Sequence, residues 1–202
     1  GWEAADYLKW YDAYDTFLTE KEFRKAFPTV DHLTRAMGNV SFYYQGRVIE
    51  NIRISNTVDA YAVNGWESMK LENHSGIVDN YRFPKGDTEV LSRYNAPLYL
   101  AVKMNHKVLG VGDTTIVDTY IVNEKNLKGT FVLTLEAKNE KGIILDRFQK
   151  RVKVNGGNEY GQSLQTGWKF VPASCGYTFV EAKLLRGKDV VAQGRDELFA
   201  VD

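Results

Sequence analysis

The hydrophobic pattern of this 202-residue chain changes its period close to the tripeptide Asn95-Ala96-Pro97. Before the tripeptide, apolar residues recur every three or four positions, which is the spacing of one face of an α-helix. After it, apolar and polar residues alternate, which is the spacing of a half-buried β-strand. Proline lacks a backbone N–H and restricts the residue before it, so it is typical of a connection. The sequence predicts an α+β protein, mainly helical over residues 1–95 and all-β over residues 98–202.

The first region contains a broad aromatic face at helical spacing, which we call the aromatic stripe: Tyr7, Trp10, Tyr11, Tyr14, Phe17 and Leu18. Further helices are predicted over residues 20–27, 29–38, 41–54 and 87–94, and one strand over about residues 59–65. Thr29 is the expected cap of the third helix and Gly38 its expected end. Because a large exposed apolar patch favours association, we expect the stripe to pack on other helices, on residues 98–102 or on a second copy.

The second region carries about seven short strands with turns roughly every 8–12 residues, which is typical of an immunoglobulin-like β-sandwich. Phe131, Leu133, Leu135 and Ala137 are expected to share one face of a strand. Turns are predicted at residues 139–142 and 186–189, while residues 159–176 contain few strand signals. The Cys…Trp…Cys pattern of antibody domains is absent, because Cys175 is the only cysteine.

Composition excludes several classes of partner. Lys and Arg number 26 and Asp and Glu also number 26, so a nucleic-acid partner is not expected. No apolar run approaches the ~20 residues of a membrane helix, so no membrane partner is expected. One cysteine and three histidines give no zinc-type spacing, and no metal or other cofactor is predicted. The formation of a homo-oligomer is left open.

One short segment carries a family resemblance. An apolar run ends at Asn64-Gly65, and Trp66 and Glu67 follow it before a long polar loop. An exposed aromatic and a carboxylate after a strand end are typical of a sugar-binding barrel. The segment resembles the last strand and following loop of the catalytic barrel in glycoside hydrolase family 2, which includes β-galactosidases, β-mannosidases and β-glucuronidases. The matching positions are Trp66, Gly76, Ile77, Val78, Asp79, Arg82, Pro84 and Lys85.

The resemblance is specific over about residues 40–105. It implies that residues 1–95 are the C-terminal portion of a (β/α)8, or TIM, barrel catalytic domain, and that residues 98–202 are an immunoglobulin-like β-sandwich domain behind it. It also implies a carbohydrate substrate, the rest of the parent catalytic domain as a partner, and a periplasmic or secreted location.

The catalytic pair of such an enzyme is not expected within this chain. Retaining glycosidases need two carboxyl groups about 5–5.5 Å apart. In this family both are Glu residues, on barrel strands upstream of the last one. The Asn-Glu dipeptides at Glu124, Glu140 and Glu159 fall within the sandwich region. No catalytic residue is therefore assigned, and the isolated chain is expected to be inactive although its parent is a retaining, β-galactosidase-like hydrolase.

Four residues are predicted to bind substrate. Trp66 would place its face beneath the reacting sugar, and Asn64 and His74 would donate hydrogen bonds to hydroxyls. Glu67 would bind a hydroxyl or a neighbouring side chain. Asp79, Arg82 and Lys85 are expected to hold the loop, with an Arg–Asp pair at its centre. The alternatives are a core position for Trp66 and a solvated loop position for His74.

A second hypothesis comes from a different class. The chain would be a non-catalytic β-sandwich module that binds carbohydrate or protein, with a helical N-terminal extension. Aromatic side chains that line a groove on the sandwich would favour this hypothesis, whereas Trp66 at a strand end of a half-built barrel would favour the first.

Overall fold

The computed structural model describes residues 2–63, 65–67, 76–79 and 81–202. The chain divides into two compact units. Unit 1 comprises Gly1–Ile49 and Ala60–Asn95, and unit 2 comprises Glu50–Asp59 and Ala96–Asp202. Unit 1 is helical with one long loop, and unit 2 is a β-sandwich that includes a short helical segment. In the part of the chain described, no helix is long and apolar enough to cross a membrane.

The helices are α1 (Trp2–Glu20), α2 (Val30–Ser55) and α3 (Thr88–Asn95), with a short 3-10 turn at Phe23–Lys25. The prediction of separate helices over residues 29–38 and 41–54 is wrong, because α2 runs through both. Gly38 does not end a helix. A Cβ built on it would lie 2.0 Å from the Lys85 carbonyl oxygen, so this glycine permits a close approach of the loop to α2. The predicted helix over residues 20–27 is only the 3-10 turn.

Two predicted helix starts are confirmed by their hydrogen bonds. The Thr29 hydroxyl accepts a hydrogen bond from the His32 N–H at 3.3 Å, as an N-cap does. The Asp87 carboxylate accepts one from the Glu89 N–H at 3.0 Å at the start of α3. These side chains satisfy backbone donors that the first turn of a helix leaves without a partner.

The core of unit 1 lies between α2 and α3. It consists of Phe42 and Ile49 from α2 and Leu91 and Tyr94 from α3, with Ile77 and Val90 packed against them. A Cβ at Gly46 would lie 2.0 Å from the Tyr94 ring, so only glycine lets this ring lie directly on α2.

The aromatic stripe is not buried as expected. Tyr7, Trp10, Tyr11 and Phe17 remain between 38% and 47% exposed, and only Leu18 is fully buried. Helix α2 carries a second exposed apolar stripe: Met37, Val40, Tyr44 and Val48. These two helix faces are therefore partly exposed, with Phe17 stacked on Phe23 at 5.6 Å, and coverage of the stripe by a second copy stays a prediction.

The strand predicted over residues 59–65 is wrong for residues 59–63, which have no regular structure. A single strand cannot satisfy its backbone groups without a neighbouring edge. The described part of unit 1 supplies only two isolated bridges, between Glu67 and Val78 and between Val78 and Pro84.

Unit 2 is a β-sandwich, as predicted. Its strands are β1 (Leu98–Met104), β2 (Val108–Gly110), β3 (Thr115–Asn123), β4 (Gly129–Asn139), β5 (Ile144–Val154), β6 (Gly161–Phe170), β7 (Gly176–Arg186) and β8 (Asp189–Val201). One sheet has the order β1-β3-β6 and the other β2-β8-β7-β4-β5. All pairs are antiparallel except β2 with β8.

The core of the sandwich comes from alternate residues of both sheets. Phe131, Leu133, Leu135 and Ala137 share the inner face of β4, as their alternation predicts. The backbones of the two sheets also approach closely at one point. A Cβ on Gly194 of β8 would lie 1.7 Å from the Leu100 carbonyl oxygen of β1, so a side chain is excluded there.

The last turns of α2 belong to unit 2 and pack on its three-stranded sheet. Ile54 packs against a buried cluster of Tyr99, Ala101 and Val122. Arg53 is buried and its guanidinium lies 2.6 Å from Glu124 Oε1. Because Arg53 also lies over the Tyr99 ring, at 5.4 Å from its centroid, both its charge and its planar face are matched.

Asn56 ends α2 and attaches it to β6. Its φ of 56° is the left-handed conformation that follows many helices. Its side-chain amide donates to the Gly161 carbonyl, and its Oδ1 accepts from the Gly161 N–H at 2.7 Å. A Cβ on Gly161 would lie 2.4 Å from Ile54 Cα, so glycine is needed for this contact.

Candidate functional site

The candidate site is the loop of unit 1 that carries Trp66. The Trp66 carbonyl accepts hydrogen bonds from the N–H groups of Ile77 (2.9 Å) and Val78 (3.2 Å). Glu67 pairs with Val78 in a parallel bridge, and Val78 pairs with Pro84 in an antiparallel one. Val78 is buried, so the backbone of Trp66 and Glu67 pairs with a buried residue.

A tight turn at Asp79 shapes the second half of the loop. One carboxylate oxygen of Asp79 accepts from the N–H groups of Tyr81 (2.8 Å) and Phe83 (2.9 Å). The Asp79 N–H donates to the Phe83 carbonyl at 2.9 Å, and the Arg82 N–H donates to the Asp79 carbonyl at 2.9 Å. Arg82 itself has a φ of 68°. Asp79 thus holds the loop through backbone donors, which is the usual behaviour of an Asx-type turn.

Arg82 does not pair with Asp79, so the predicted Arg–Asp pair is wrong. The Asp79 oxygen is occupied by backbone N–H groups, and Arg82 Nε instead donates to Glu67 Oε1 at 2.9 Å. Both side chains are exposed. An exposed ion pair contributes at most about 1 kcal/mol. Its main effect is therefore to orient the Glu67 carboxylate.

The end of the loop is fixed to α2. The Lys85 N–H donates to the Ile77 carbonyl at 3.1 Å, which closes the loop on itself. A Cβ on Gly86 would lie 2.5 Å from Asn39 Oδ1, and that oxygen accepts from the Asp87 N–H at 2.6 Å. Lys85 therefore contributes to the loop through its backbone, and Gly38 and Gly86 allow the loop and the helix to touch.

Trp66 is 62% exposed, so it is not a core residue that seals the end of a barrel. Tyr81 and Phe83 on the same loop are also exposed. Neither was predicted as a site residue, although both lie inside the segment that carries the family resemblance. In the sequence, Tyr81 and Phe83 alternate with Arg82 shortly after Asp79. This alternation could have identified them as rings that lie outside the turn. The loop therefore presents three aromatic rings to solvent.

Two predicted site residues, Asn64 and His74, lie outside the described residues. Of the predicted substrate-binding set, the structure brings Trp66 and Glu67 to adjacent positions and adds Arg82 as the partner of Glu67. Among the residues that the structure describes, no group of three or more His, Cys, Asp or Glu side chains is placed to hold a metal ion.

Comparisons with known proteins give a fold likeness only. No family model matches the chain, and no curated protein matches it. A solved β-D-mannosidase from Dictyoglomus thermophilum is similar to it with a TM-score of 0.52 at 14% identity, over 77% of this chain and 18% of that chain.

Two further solved structures are similar to about half of this chain. A glycosyl hydrolase family 2 member from Bacteroides cellulosilyticus has a TM-score of 0.41 at 14% identity, over 51% of this chain and 14% of that one. A β-glucuronidase from glycoside hydrolase family 2 has a TM-score of 0.39 at 13% identity, over 50% and 11%. The chain thus spans less than a fifth of each of these proteins, and what it shares with the mannosidase is the fold of one segment.

Proposed function

We propose that this chain is part of a glycoside hydrolase of the family 2 type that acts on β-glycosides. In this proposal residues 1–95 are the end of a catalytic (β/α)8 barrel and residues 98–202 are the β-sandwich that follows it. The observation that carries the proposal is Trp66, an exposed indole followed in the chain by the Arg82-paired Glu67, on a loop whose backbone is hydrogen-bonded from Trp66 to Ile77 and Val78.

The exposed helix faces of unit 1 support the proposal that residues 1–95 belong to a barrel. In a (β/α)8 barrel each outer helix packs its apolar face on the strands inside the ring. Helices α1 and α2 each carry such a face, and both faces are exposed in this chain: Tyr7, Trp10, Tyr11 and Phe17 on α1, and Met37, Val40, Tyr44 and Val48 on α2. Barrel strands from elsewhere in a longer protein are the partner that these faces fit.

Trp66 would form an apolar floor for the sugar. The C–H groups on one face of a pyranose ring match the face of an indole, which combines a large apolar area with a defined geometry. Glu67 would accept a hydrogen bond from a sugar hydroxyl, because its ion pair with Arg82 occupies only part of the acceptor capacity of a carboxylate. Asn64 and His74 complete the proposed set as hydroxyl donors.

The chain would contribute binding to the reaction rather than its chemical step. A retaining mechanism needs an acid/base and a nucleophile on two carboxyl groups. In the described part of the loop, Glu67 is paired with Arg82 and Asp79 holds backbone donors. We propose that both catalytic carboxylates come from the part of the barrel that precedes residue 1.

The proposal is tested by expressing the chain together with the segment encoded directly upstream. Hydrolysis of nitrophenyl β-mannoside, β-galactoside and β-glucuronide is then measured. Trp66→Ala should lower kcat/KM by about 30-fold, which corresponds to about 2 kcal/mol for a central aromatic contact. Tyr160→Ala is the matched control, because Tyr160 is an exposed aromatic of unit 2 outside the loop. Absence of hydrolysis by the longer protein, or equal kcat/KM for both variants, would contradict the proposal.

A further inference from the structure

The outer face of the five-stranded sheet carries a cluster of three aromatic rings, Tyr177 and Phe179 on β7 and Phe199 on β8. Tyr177 lies opposite Phe199 in the strand register. Their ring centroids are 4.8 Å apart with an interplanar angle of 61°. Tyr177 and Phe179 lie 6.2 Å apart with nearly parallel rings at 16°. We call this cluster the aromatic platform.

The pleat of the strands makes these rings project away from the core. Their sequence neighbours Thr178, Val180, Leu198 and Ala200 are all buried and point inward. Tyr177 is 46% exposed and Phe199 is 37% exposed. Three rings on the solvent side of a sandwich are not needed to close its core, which is complete on the other face. A contiguous exposed apolar patch of this kind marks an interaction site.

Charged side chains flank Phe179, at one end of the platform. Lys138 of β4 and Glu197 of β8 lie opposite Phe179 on its two flanks. Lys138 Nζ is itself held between Glu181 Oε2 at 2.7 Å and Glu136 Oε2 at 2.9 Å. The positive charge of Lys138 is therefore already balanced, which suits hydroxyl groups better than an anionic ligand.

The size of the platform separates a small ligand from a protein partner. A large aromatic side chain buries about 150–250 Å² when fully covered, and each ring is free over less than half of its surface. Val108, which pairs with Phe199, and Val201 are exposed on the same face, so the whole apolar patch offers roughly 400 Å². A stable protein interface takes about 800 Å² from each partner. The platform is thus too small to hold a second copy of the chain or a protein partner, and it fits the face of one or two sugar rings.

We propose that Tyr177, Phe179 and Phe199 form a second carbohydrate-binding site, on which pyranose rings of a neutral oligosaccharide or polysaccharide stack. Lys138 and Glu197 would bind hydroxyls at its edge. The choice of carbohydrate as the ligand class rests in part on the proposed function, whereas the platform itself does not. The platform belongs to unit 2 and Trp66 to unit 1, so the two sites use separate residues. A second site would keep a polymeric substrate close to the enzyme by raising its effective concentration.

The test uses the 202-residue chain and a panel of mannan, galactan, xylan and cellulose. Binding is measured by depletion from insoluble polymer and by calorimetric titration with soluble oligosaccharides of the polymer that is bound. Tyr177→Ala and Phe199→Ala should each weaken binding at least tenfold, and Tyr177→Phe should retain it, because a phenyl ring still stacks. Tyr160→Ala is the control, Trp66→Ala measures the contribution of the separate loop site, and a thermal melt of each variant shows that it folds.

The outcomes separate this proposal from the proposed function. Binding that is lost in Tyr177→Ala and kept in Tyr160→Ala supports the platform, whether or not the longer protein hydrolyses glycosides. Binding that depends on Trp66 alone overturns the platform and leaves the proposed function standing. Failure to bind any polymer of the panel overturns it as well. It is also overturned if the native chain is oligomeric in size-exclusion chromatography and Tyr177→Ala is monomeric, because the rings would then form a protein interface.

Discussion

Replacement of Asn56 tests whether its side chain holds the end of α2 on the sandwich. In Asn56→Gly the left-handed backbone remains unstrained, since glycine adopts a positive φ freely. The substitution removes only the amide, and with it both hydrogen bonds to the Gly161 backbone. Asn56→Ala removes the same bonds and adds the strain of a Cβ at a φ of 56°.

The expected magnitude follows from the burial of Gly161. Because Gly161 is buried, its N–H and C=O are left without a partner, at about 1–2 kcal/mol each. We expect Asn56→Gly to lower the free energy of unfolding by about 2–4 kcal/mol, and Asn56→Ala by about 1 kcal/mol more. Asn126→Gly is the matched control. Asn126 has a φ of 53° and its Oδ1 accepts from the Gly157 N–H at 2.8 Å, but in an exposed loop where water replaces the bond.

The assay is urea unfolding followed by the far-ultraviolet signal of the β-sheets, with midpoints compared at equal slope. We expect Asn126→Gly to change the free energy of unfolding by less than about 1 kcal/mol, because its hydrogen bond is exposed. If Asn56→Gly is no more destabilising than Asn126→Gly, the two hydrogen bonds to Gly161 do not hold the helix end, and the reasoning is refuted.

Three further predictions concern other parts of the chain. Gly194→Ala should destabilise the sandwich by about 3 kcal/mol, because its Cβ would meet a β1 carbonyl oxygen at 1.7 Å, whereas Gly187→Ala, in an open turn, should cost about 1 kcal/mol in the same denaturation experiment. The hydrogen bond from Lys138 lowers the pKa of Glu136 from 4.5, so this pair stabilises the fold above that pH and the stabilisation is lost as the pH falls through the lowered pKa. The free energy of unfolding at acid pH should therefore depend less on pH in Lys138→Met. An unchanged pH dependence would contradict a stabilising role for the pair. The isolated chain should not hydrolyse nitrophenyl β-galactoside, and turnover that disappears in Glu67→Gln would show this to be wrong.

The sequence predicted those elements whose burial follows a regular period. In β4 the alternation of Phe131, Leu133, Leu135 and Ala137 is the burial pattern of the strand. It failed for β6, because two register shifts opposite β3 interrupt the alternation, and Thr166, midway between the buried Leu164 and Trp168, is exposed. The sequence-based prediction also failed at Gly38. Glycine occurs both at helix ends and at close packing contacts, and the sequence does not distinguish the two.

Burial and pairing over distance were the least predictable features. The periodicity of the aromatic stripe correctly indicated a helix, but whether Trp10 is covered depends on a surface that local spacing does not specify. At the candidate site, the aspartate turn follows from local sequence. The partner of Arg82 does not follow from local sequence. Glu67 is 15 residues away, and it pairs with Arg82 because backbone N–H groups of the turn already occupy the Asp79 carboxylate.

The position of β8 has a consequence for how the sandwich is made. This strand is the eighth in sequence but the second in its sheet, where it lies between β2 and β7. Val108 of β2 pairs with Phe199 of β8. The partner strand of β2 is therefore synthesised after almost the whole sandwich. Non-local pairing of this kind slows folding, and it leaves the β7 edge open in a nascent chain that has not reached Asp189. Such a chain exposes strand edges and apolar residues while it is still on the ribosome, which makes the interval before β8 emerges the stage at which aggregation or chaperone capture competes with folding.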